Sequence, residues 1–191
     1  FNNIRTIEQL ATRIDEQLET DSLSILNALR ANETLKEMGF DKESAAALFI
    51  PNTYELYWNI DANEFVEKMI NEYNHFWNKD RLNKAKKLNL TPIEVSVLAS
   101  IVDKETTKVS EMPRIAGVYL NRLKRHWLLQ ADPTLVFALG DFEIKRVLDV
   151  HKEIDSPYNT YKYVGLPPGP ICIPSIAAID AVLNAENHKY F

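Results

Sequence analysis

The sequence has a single cysteine, fewer basic than acidic residues and no long apolar run. Its single cysteine, Cys172, cannot form an internal disulfide, so cysteine usage leaves the redox compartment open. No run of 18 or more apolar residues occurs, so no segment is expected to span a membrane, and no signal peptide is recognisable. The chain starts at Phe1 instead of Met and stops at HKYF, so we expect a fragment of a longer protein.

The excess of acidic over basic residues and the scattered histidines argue against nucleic-acid binding and metal binding. The chain has 22 Lys and Arg against 27 Asp and Glu, a net charge of −5, whereas non-specific nucleic-acid binders are usually basic. Nucleic acid is therefore not an expected partner. The histidines show no metal-ligand spacing, and there is no Gly-rich phosphate loop or G-x-S-x-G elbow. We expect neither a metal nor a cofactor.

Helical periodicity dominates what is present. The 191 residues are 46% hydrophobic and 26% charged, a balance typical of a globular protein with one core or two small lobes sharing one. Thr91, Pro92 and Glu94 form a helix start of the capping-box type. Apolar spacing predicts helices in RTIEQLATRIDEQL, SLSILNALR, ANETLKEMGF, ANEFVEKMINEYNHFWNKDRLNKAKKLNL, TPIEVSVLASIVDKET, SEMPRIAGVYLNRLKR, DPTLVFAL and SIAAIDAVLNAE. The fourth of these segments fits one long helix or two shorter ones.

The composition of the sequence changes after Gly140. FEIKRVLD is predicted as a short helix, and SPYNTYKYVGLPPGPICIPS is rich in proline and therefore extended and turn-rich. We expect an α+β fold that is predominantly helical, with a small sheet and extended Pro/Gly-rich segments in the catalytic lobe. Two parts are predicted: a helical lobe over residues 1–85 and a catalytic lobe over 86–191.

The segment LASIVDKET ends an apolar helical stripe on a carboxylate. At about 100° per residue, Glu105 lies within about 40° of Leu98 and Ile101, whereas Asp103 points to roughly the opposite side. A carboxyl group against an apolar wall loses hydration, which raises its pKa, and the C-terminal end of the helix dipole acts in the same direction. Glu105 is therefore a candidate general acid near neutral pH.

The same geometry also fits a purely structural role. Glu105 could cap local structure, or it could pair with Arg114 or Arg122 on the next helix. Because structural ion pairs perturb carboxylates as well, helix geometry alone favours this structural role over a catalytic one. Further motifs change that balance.

A set of segments in a fixed order carries a family resemblance. They are LASIVDKET (98–106), AGVYLNRL (116–123), LQADPT (129–134), YNTY (158–161) and GLPPGPI (165–171). Together they closely resemble the endolytic murein transglycosylases of the MltG (YceG-like) family, and FIPNTYE at 49–55 is similar to that family's FxPDTYE segment. One segment alone would be weak, but the ordered set is highly specific.

The resemblance implies roles for individual positions. In the family's E-K-E-T motif the second glutamate is the catalytic acid/base, which corresponds to Glu105, and Asp103 stands where the family has its first glutamate. By itself, Asp132 is better explained as the N-cap of DPTLVFAL, Tyr161 as a buried core tyrosine, and Gly165 as part of a structural turn as readily as of a binding wall. The substrate-binding residues that the resemblance implies are Gln130, Asp132, Thr134, Tyr158, Asn159, Thr160, Tyr161, Gly165 and Pro167.

The resemblance also implies a reaction. The family cuts peptidoglycan glycan strands internally, at the β-1,4 bond between N-acetylmuramic acid and N-acetylglucosamine, and leaves a 1,6-anhydro-muramic end. One carboxylate suffices for this reaction, because the muramic C6 hydroxyl supplies the nucleophile. Ordinary glycosidases, in contrast, use two carboxylates.

Location and partners follow from the same source. The resemblance implies a bacterial cell-envelope protein on the periplasmic face of the inner membrane, held by a single-pass anchor outside this fragment. Peptidoglycan strands are the expected partner, and cell-wall synthases are a further one. Two rival hypotheses remain: a catalytically inactive glycan-binding module that recruits synthesis or division proteins, and a helical interaction domain with no role in glycan chemistry.

Overall fold

The structure, a computed structural model, describes residues 4–144 and 146–191. Within them the chain forms α-helices joined by turns and two 3₁₀ helices, Ala45–Leu48 and Asp149–Glu153. The α-helices are α1 Ile7–Asp15, α2 Ser22–Ala31, α3 Glu33–Glu37, α4 Ala62–Phe76, α5 Lys79–Leu88, α6 Pro92–Glu105, α7 Met112–Lys124, α8 Asp132–Leu139 and α9 Ile176–Leu183.

Local capping signals account for where the helices begin and end. The predicted capping box at α6 is present, with Thr91 Oγ1 accepting from the Glu94 N–H and Pro92 in the first turn. Asp61 forms a second box at the start of α4. After α8, Gly140 adopts φ +69°, a left-handed conformation that ends the helix. Glycine adopts this conformation with little strain because it has no Cβ atom. The eight helices predicted from periodicity therefore occur, with the long α4–α5 region divided in two.

Helix α6 lies at the centre of the fold. Every residue from Val95 to Val102 is buried, as expected for a helix that is covered on all sides. It packs against α5, α7, α8 and α9 and against the 3₁₀ helix Ala45–Leu48. Its first buried turn is thus anchored deep in the core, while its last residue, Glu105, emerges at the surface.

The predicted small sheet is wrong. No strand occurs in residues 4–144 and 146–191, so this part of the chain is all-α instead of α+β. In the Pro-rich region the backbone donors find other partners: the Ile171 N–H bonds to Ser100 Oγ at 3.0 Å and the Ile173 N–H bonds to the Ile4 carbonyl at 2.9 Å. Proline has no N–H to donate to a neighbouring strand, and these single bonds tie the region to α6 and to the segment before α1.

The segment FEIKRVLD also departs from its prediction. Residues 142–144 and 146–148 form turns and irregular structure, and the 3₁₀ helix Asp149–Glu153 begins only at the segment's end. Lys145 lies outside the described residues. The division into lobes at residue 85 stays a prediction. None of the described helices is both long and apolar enough to cross a bilayer.

Candidate active site

Glu105 is the last residue of α6 and faces α7. The Tyr119 hydroxyl, on α7, donates a hydrogen bond of 2.7 Å to Glu105 Oε1. Asp103 points elsewhere: its Oδ1 accepts from the hydroxyl and N–H of Ser175, the N-cap of α9. The two carboxylates of the D-K-E-T motif therefore separate as the helical spacing predicts, one into helix packing and one into an open cavity.

The pKa of Glu105 is raised above the ordinary glutamate value. Desolvation by the surrounding side chains is the largest cause, and the negative charge of Asp132 adds to it. The Tyr119 hydrogen bond and the positive charge of Arg122 act in the opposite direction. Glu105 nevertheless stays accessible to solvent, so a ligand can reach it. A reachable carboxyl with a raised pKa is suited to proton donation.

Asp132 and Tyr161 form a second carboxylate–tyrosine pair in the same cavity. The Tyr161 hydroxyl donates a short hydrogen bond to Asp132 Oδ1. Burial and this bond raise the pKa of Tyr161 to about 12, so its proton stays on the phenol at neutral pH. The N-cap role considered for Asp132 is wrong: Ala131 occupies the N-cap of α8, and no side chain caps that helix.

Gln130 adopts a left-handed backbone conformation, with φ +52°. Non-glycine residues rarely adopt this conformation, and here two bonds to Thr160 enforce it. The Gln130 N–H bonds to the Thr160 carbonyl at 3.0 Å, and the Ala131 N–H bonds to Thr160 Oγ1 at 3.0 Å. The strained residue thereby presents an exposed amide side chain beside Asp132.

Three of the predicted binding residues lie behind the cavity wall. Thr134, Asn159 and Thr160 are buried. Thr134 Oγ1 bonds to Thr160 Oγ1 at 2.8 Å, and Asn159 Nδ2 bonds to the carbonyls of Lys152 and Ile154, each at 2.8 Å. These side chains hold the YNTY turn against the start of α8, and their polar atoms are used within the protein.

The remaining predicted residues lie outside the central cavity. The Tyr158 ring packs on Phe137 with centroids 4.7 Å apart. Pro167 is buried, and Gly165 has φ +96°, a turn conformation that favours glycine. The structure thus brings together Glu105, Gln130, Asp132 and Tyr161 from the predicted set, and the other members support them or line neighbouring turns.

Three adjoining cavities form a groove with Glu105 in its interior. The central cavity, of about 360 Å³, is lined by Glu105, Tyr119, Arg122, Gln130, Asp132 and Tyr161 together with Ile115 and Val118. On one side it shares Glu105 and Asp132 with a cavity of about 370 Å³, the Arg146 cavity. On the other it shares Arg122 and Gln130 with a cavity of about 460 Å³ that contains Trp127, the Trp127 cavity. An apolar cavity of about 320 Å³ near α1 and α2 shares no residue with the groove.

Comparison with known proteins decides the family. The model of the YceG-like family matches residues 1–191, the full sequence. The chain belongs to the YceG-like family. An endolytic murein transglycosylase of Streptococcus pneumoniae is 31% identical over 201 aligned positions, covering 100% of this chain and 36% of the relative. One of Bacillus subtilis is 35% identical over 127 positions, covering 66% of this chain and 35% of the relative. The chain thus spans about a third of the length of these curated relatives.

A solved structure of the YceG-like family has the same fold. The crystal structure of a yceG-like protein from Listeria monocytogenes matches with a TM-score of 0.77 and 28% identity. The match covers 96% of this chain and 65% of that one. The helical arrangement described above is therefore shared across nearly the whole chain.

Sequence reasoning missed Tyr119, which α7 contributes to the cavity wall next to Arg122. Tyr119 lies in the segment AGVYLNRL, which carried the resemblance without Tyr119 being assigned a role. Arg122, considered as a partner for Glu105, lines the same cavity, and its positive charge lowers the pKa of Glu105. Because Tyr119 and Arg122 lie one helical turn apart, their shared helix face was the available signal. Arg114, considered as a partner for Glu105, pairs with Glu186 at 3.1 Å instead.

Proposed function

We propose that this YceG-like chain is the catalytic part of an endolytic peptidoglycan lytic transglycosylase with Glu105 as its acid/base. The observation that carries the proposal is the position of Glu105: a solvent-accessible carboxyl with a raised pKa that is hydrogen-bonded by Tyr119 and lines two of the three adjoining cavities. The printed names of the relatives, endolytic murein transglycosylases, support the same reaction class.

In the proposed reaction Glu105 first donates a proton and then accepts another. Protonated Glu105 donates its proton to the glycosidic oxygen as the bond between N-acetylmuramic acid and N-acetylglucosamine breaks, and the N-acetylglucosamine end leaves as an alcohol. Glu105, now a carboxylate, accepts the proton of the muramic C6 hydroxyl while that oxygen bonds to C1. The product ends in a 1,6-anhydro-muramic residue, and no water is consumed.

Asp132 is proposed to act through its charge instead of as a nucleophile. Its Oδ1 is occupied by the Tyr161 hydroxyl, and its charge raises the pKa of Glu105. A fixed negative charge in the cavity also favours the positive charge that develops at C1 in the transition state. Gln130, exposed and held at positive φ, supplies an amide that can bond to sugar hydroxyls or acetamido groups.

The groove supports cleavage within strands in preference to cleavage at their ends. Cavities adjoin the central one on both sides of Glu105 and Gln130, so sugars on either side of the scissile bond have room. Trp127 is 47% exposed and lines the outer end, where an aromatic face can pack against a sugar ring. A site that binds chain ends would instead be closed on one side.

The cellular setting proposed for this activity is the bacterial cell envelope. We place the whole protein on the periplasmic face of the inner membrane, held by a single-pass anchor, because its substrate is assembled there. Cell-wall synthases are the proposed protein partners, since new glycan strands leave those enzymes close to the membrane.

The test is a digest of purified, uncrosslinked glycan strands, with products weighed by mass spectrometry. Three forms are compared: the wild type, Glu105→Gln, and the control Glu37→Gln, which alters an exposed glutamate at the end of α3. We expect anhydro-ended fragments from the wild type and the control. Glu105→Gln should lower the rate by about 10²- to 10⁴-fold, the usual contribution of a general acid/base.

Other outcomes select other functions. Fragments with water added at their ends would mean a hydrolase and would contradict the single-carboxylate mechanism. Strand binding without cleavage by any form would favour the glycan-binding module. Equal cleavage by the wild type and Glu105→Gln would exclude Glu105 as the acid/base.

A further inference from the structure

The Arg146 cavity concentrates positive charge in a protein of net charge −5. Arg5, Lys104 and Arg146 line it, beside Glu105 and Asp132. The mechanism requires Glu105 to be protonated before reaction, and the Asp132 carboxylate already accepts from Tyr161. When substrate binds, the cavity therefore carries three cations and one anion.

None of the three cations forms a close ion pair with a carboxylate among the described residues. In residues 4–144 and 146–191 no carboxylate lies within 4.0 Å of the Arg5 or Arg146 guanidinium. Lys104 Nζ has only a long contact, 3.9 Å, to Asp103 Oδ2, and Ser175 already occupies the other oxygen of Asp103. Charged groups left without a partner in a cavity are suited to a ligand of opposite charge.

Contacts within the fold hold two of these cations, Arg5 and Lys104, in place. The Arg5 guanidinium lies over the Phe142 ring at 4.4 Å from its centroid, and the preceding residue, Ile4, accepts a 2.9 Å bond from the Ile173 N–H. Lys104 directly precedes Glu105 on α6. Arg5 and Lys104 therefore lie at a defined distance from the acid/base, although Arg5 is a hundred residues away in sequence.

We propose that the Arg146 cavity is a carboxylate-binding subsite that recognises the acidic substituent of muramic residues. This inference rests on the proposed function. Along a peptidoglycan strand only alternate sugars carry such a group, either as the free lactyl carboxylate of a peptide-free residue or as the carboxylates of its stem peptide. A carboxylate bound at a fixed distance from Glu105 sets the register of the strand, so only one of the two alternating β-1,4 bonds meets the acid.

The test measures strand binding to Glu105→Gln by titration calorimetry, because this variant is expected to cut strands too slowly to disturb the measurement. The probes are three strands of equal length: one with stem peptides, one peptide-free with its lactyl carboxylates, and one peptide-free with those carboxylates converted to methylamides. Arg146→Gln and Arg5→Gln are each added to that background. The matched control is Lys86→Gln, which removes one exposed charge on α5 outside the groove.

We expect Arg146→Gln and Arg5→Gln each to weaken binding of carboxylate-bearing strands by about three- to tenfold, as expected for a lost charge-assisted contact. The methylamide strand should bind weakly to all forms, and Lys86→Gln should change nothing. The differences should shrink in 0.3 M salt, because salt screens exposed charges. An effect limited to the peptide-bearing strand identifies the stem peptide as the source, and one on the peptide-free strand identifies the lactyl group.

Two results would overturn the proposal in distinguishable ways. Equal affinity for the methylamide and carboxylate strands would contradict the proposed carboxylate subsite but would not bear on the proposed function. If no strand binds to any form and wild-type digests of the same strands give no anhydro-ended products, the proposed function fails together with the subsite. Anhydro-ended products from the wild type would support the function whatever the charge preference.

Discussion

At the scale of single residues, the proton on Glu105 is controlled by neighbours that act in opposite directions. Tyr119 lowers its pKa through a hydrogen bond, and Asp132 raises it through negative charge. The proposed mechanism requires the protonated form, so the rate should fall as the pH rises through this pKa. Changing the two neighbours should therefore move the basic limb of the pH profile in opposite directions.

Tyr119→Phe removes the bond that stabilises the carboxylate form. The basic limb of kcat/KM should move to higher pH, and the rate at the plateau should fall by less than about tenfold. Asp132→Asn removes the charge that disfavours the carboxylate, so the limb should move to lower pH. Strand-digest rates measured across the pH range check both, and shifts of the same sign in the two variants would contradict this account.

The raised pKa of Glu105 also has a consequence for stability. The folded state binds this proton more tightly than the unfolded chain, so the free energy of unfolding falls as pH rises from the unfolded to the folded pKa. Glu105→Gln should raise the melting temperature by at most about 2 °C at neutral pH. It should have no such effect at about pH 3.5, where both states are protonated. A melting temperature raised equally at both pH values would point to packing as the cause.

At the scale of elements, the YNTY turn positions the start of α8. Thr160→Val keeps the side-chain shape but leaves the buried Ala131 N–H without its acceptor. We expect a loss of about 1–3 kcal/mol in the free energy of unfolding, and a fall in kcat because Gln130 and Asp132 are adjacent. Urea unfolding and digest rates measure the two effects. The control Thr34→Val, at an exposed position on α3, should change the free energy of unfolding by no more than about 0.5 kcal/mol.

The Pro-rich segment depends on a close approach between backbones at Gly169. A Cβ atom at this position would lie 1.9 Å from the Glu43 carbonyl oxygen, so the turn or the residues before the 3₁₀ helix Ala45–Leu48 must shift. Gly169→Ala should cost about 3 kcal/mol of stability. Gly140→Ala, where a Cβ meets nothing within 4 Å, should cost only about 1 kcal/mol for its positive φ. If the two variants had the same urea midpoint, the turn at Gly169 would have to adjust to the added methyl group at little cost.

At the scale of the whole molecule, the predicted lobes share contacts that favour a single unfolding transition. Arg81 on α5 forms a two-bond pair with Asp180 on α9, at 3.1 and 3.2 Å, and buried residues of the first helix, α1, and the last, α9, belong to one hydrophobic cluster. With Trp58 and Trp127 changed to Phe, the fluorescence of buried Trp77 reports on the first lobe. Its urea midpoint should match that of far-UV circular dichroism. Separate midpoints would support independent lobes at 1–85 and 86–191.

The sequence by itself determined the helices and the candidate acid/base. Helix caps such as Thr91 with Glu94 involve residues only a few positions apart, and so does the apolar spacing of α6. Both can therefore be recognised from the sequence alone. The ordered motifs added the family, which the full-length family match confirms. The same local reasoning failed for the sheet, because strand pairing depends on what the Pro-rich backbone meets, and it meets Ser100 and Ile4.

Only the tertiary structure decided what surrounds Glu105. Tyr119 and Arg122 reach it because α7 folds back on α6, and Asp132 reaches it because Thr160 holds the chain that precedes α8. Arg5 joins the groove from the far end of the sequence. Local spacing carries no information about such pairs, since they form when buried helices pack and distant segments are brought within bonding distance.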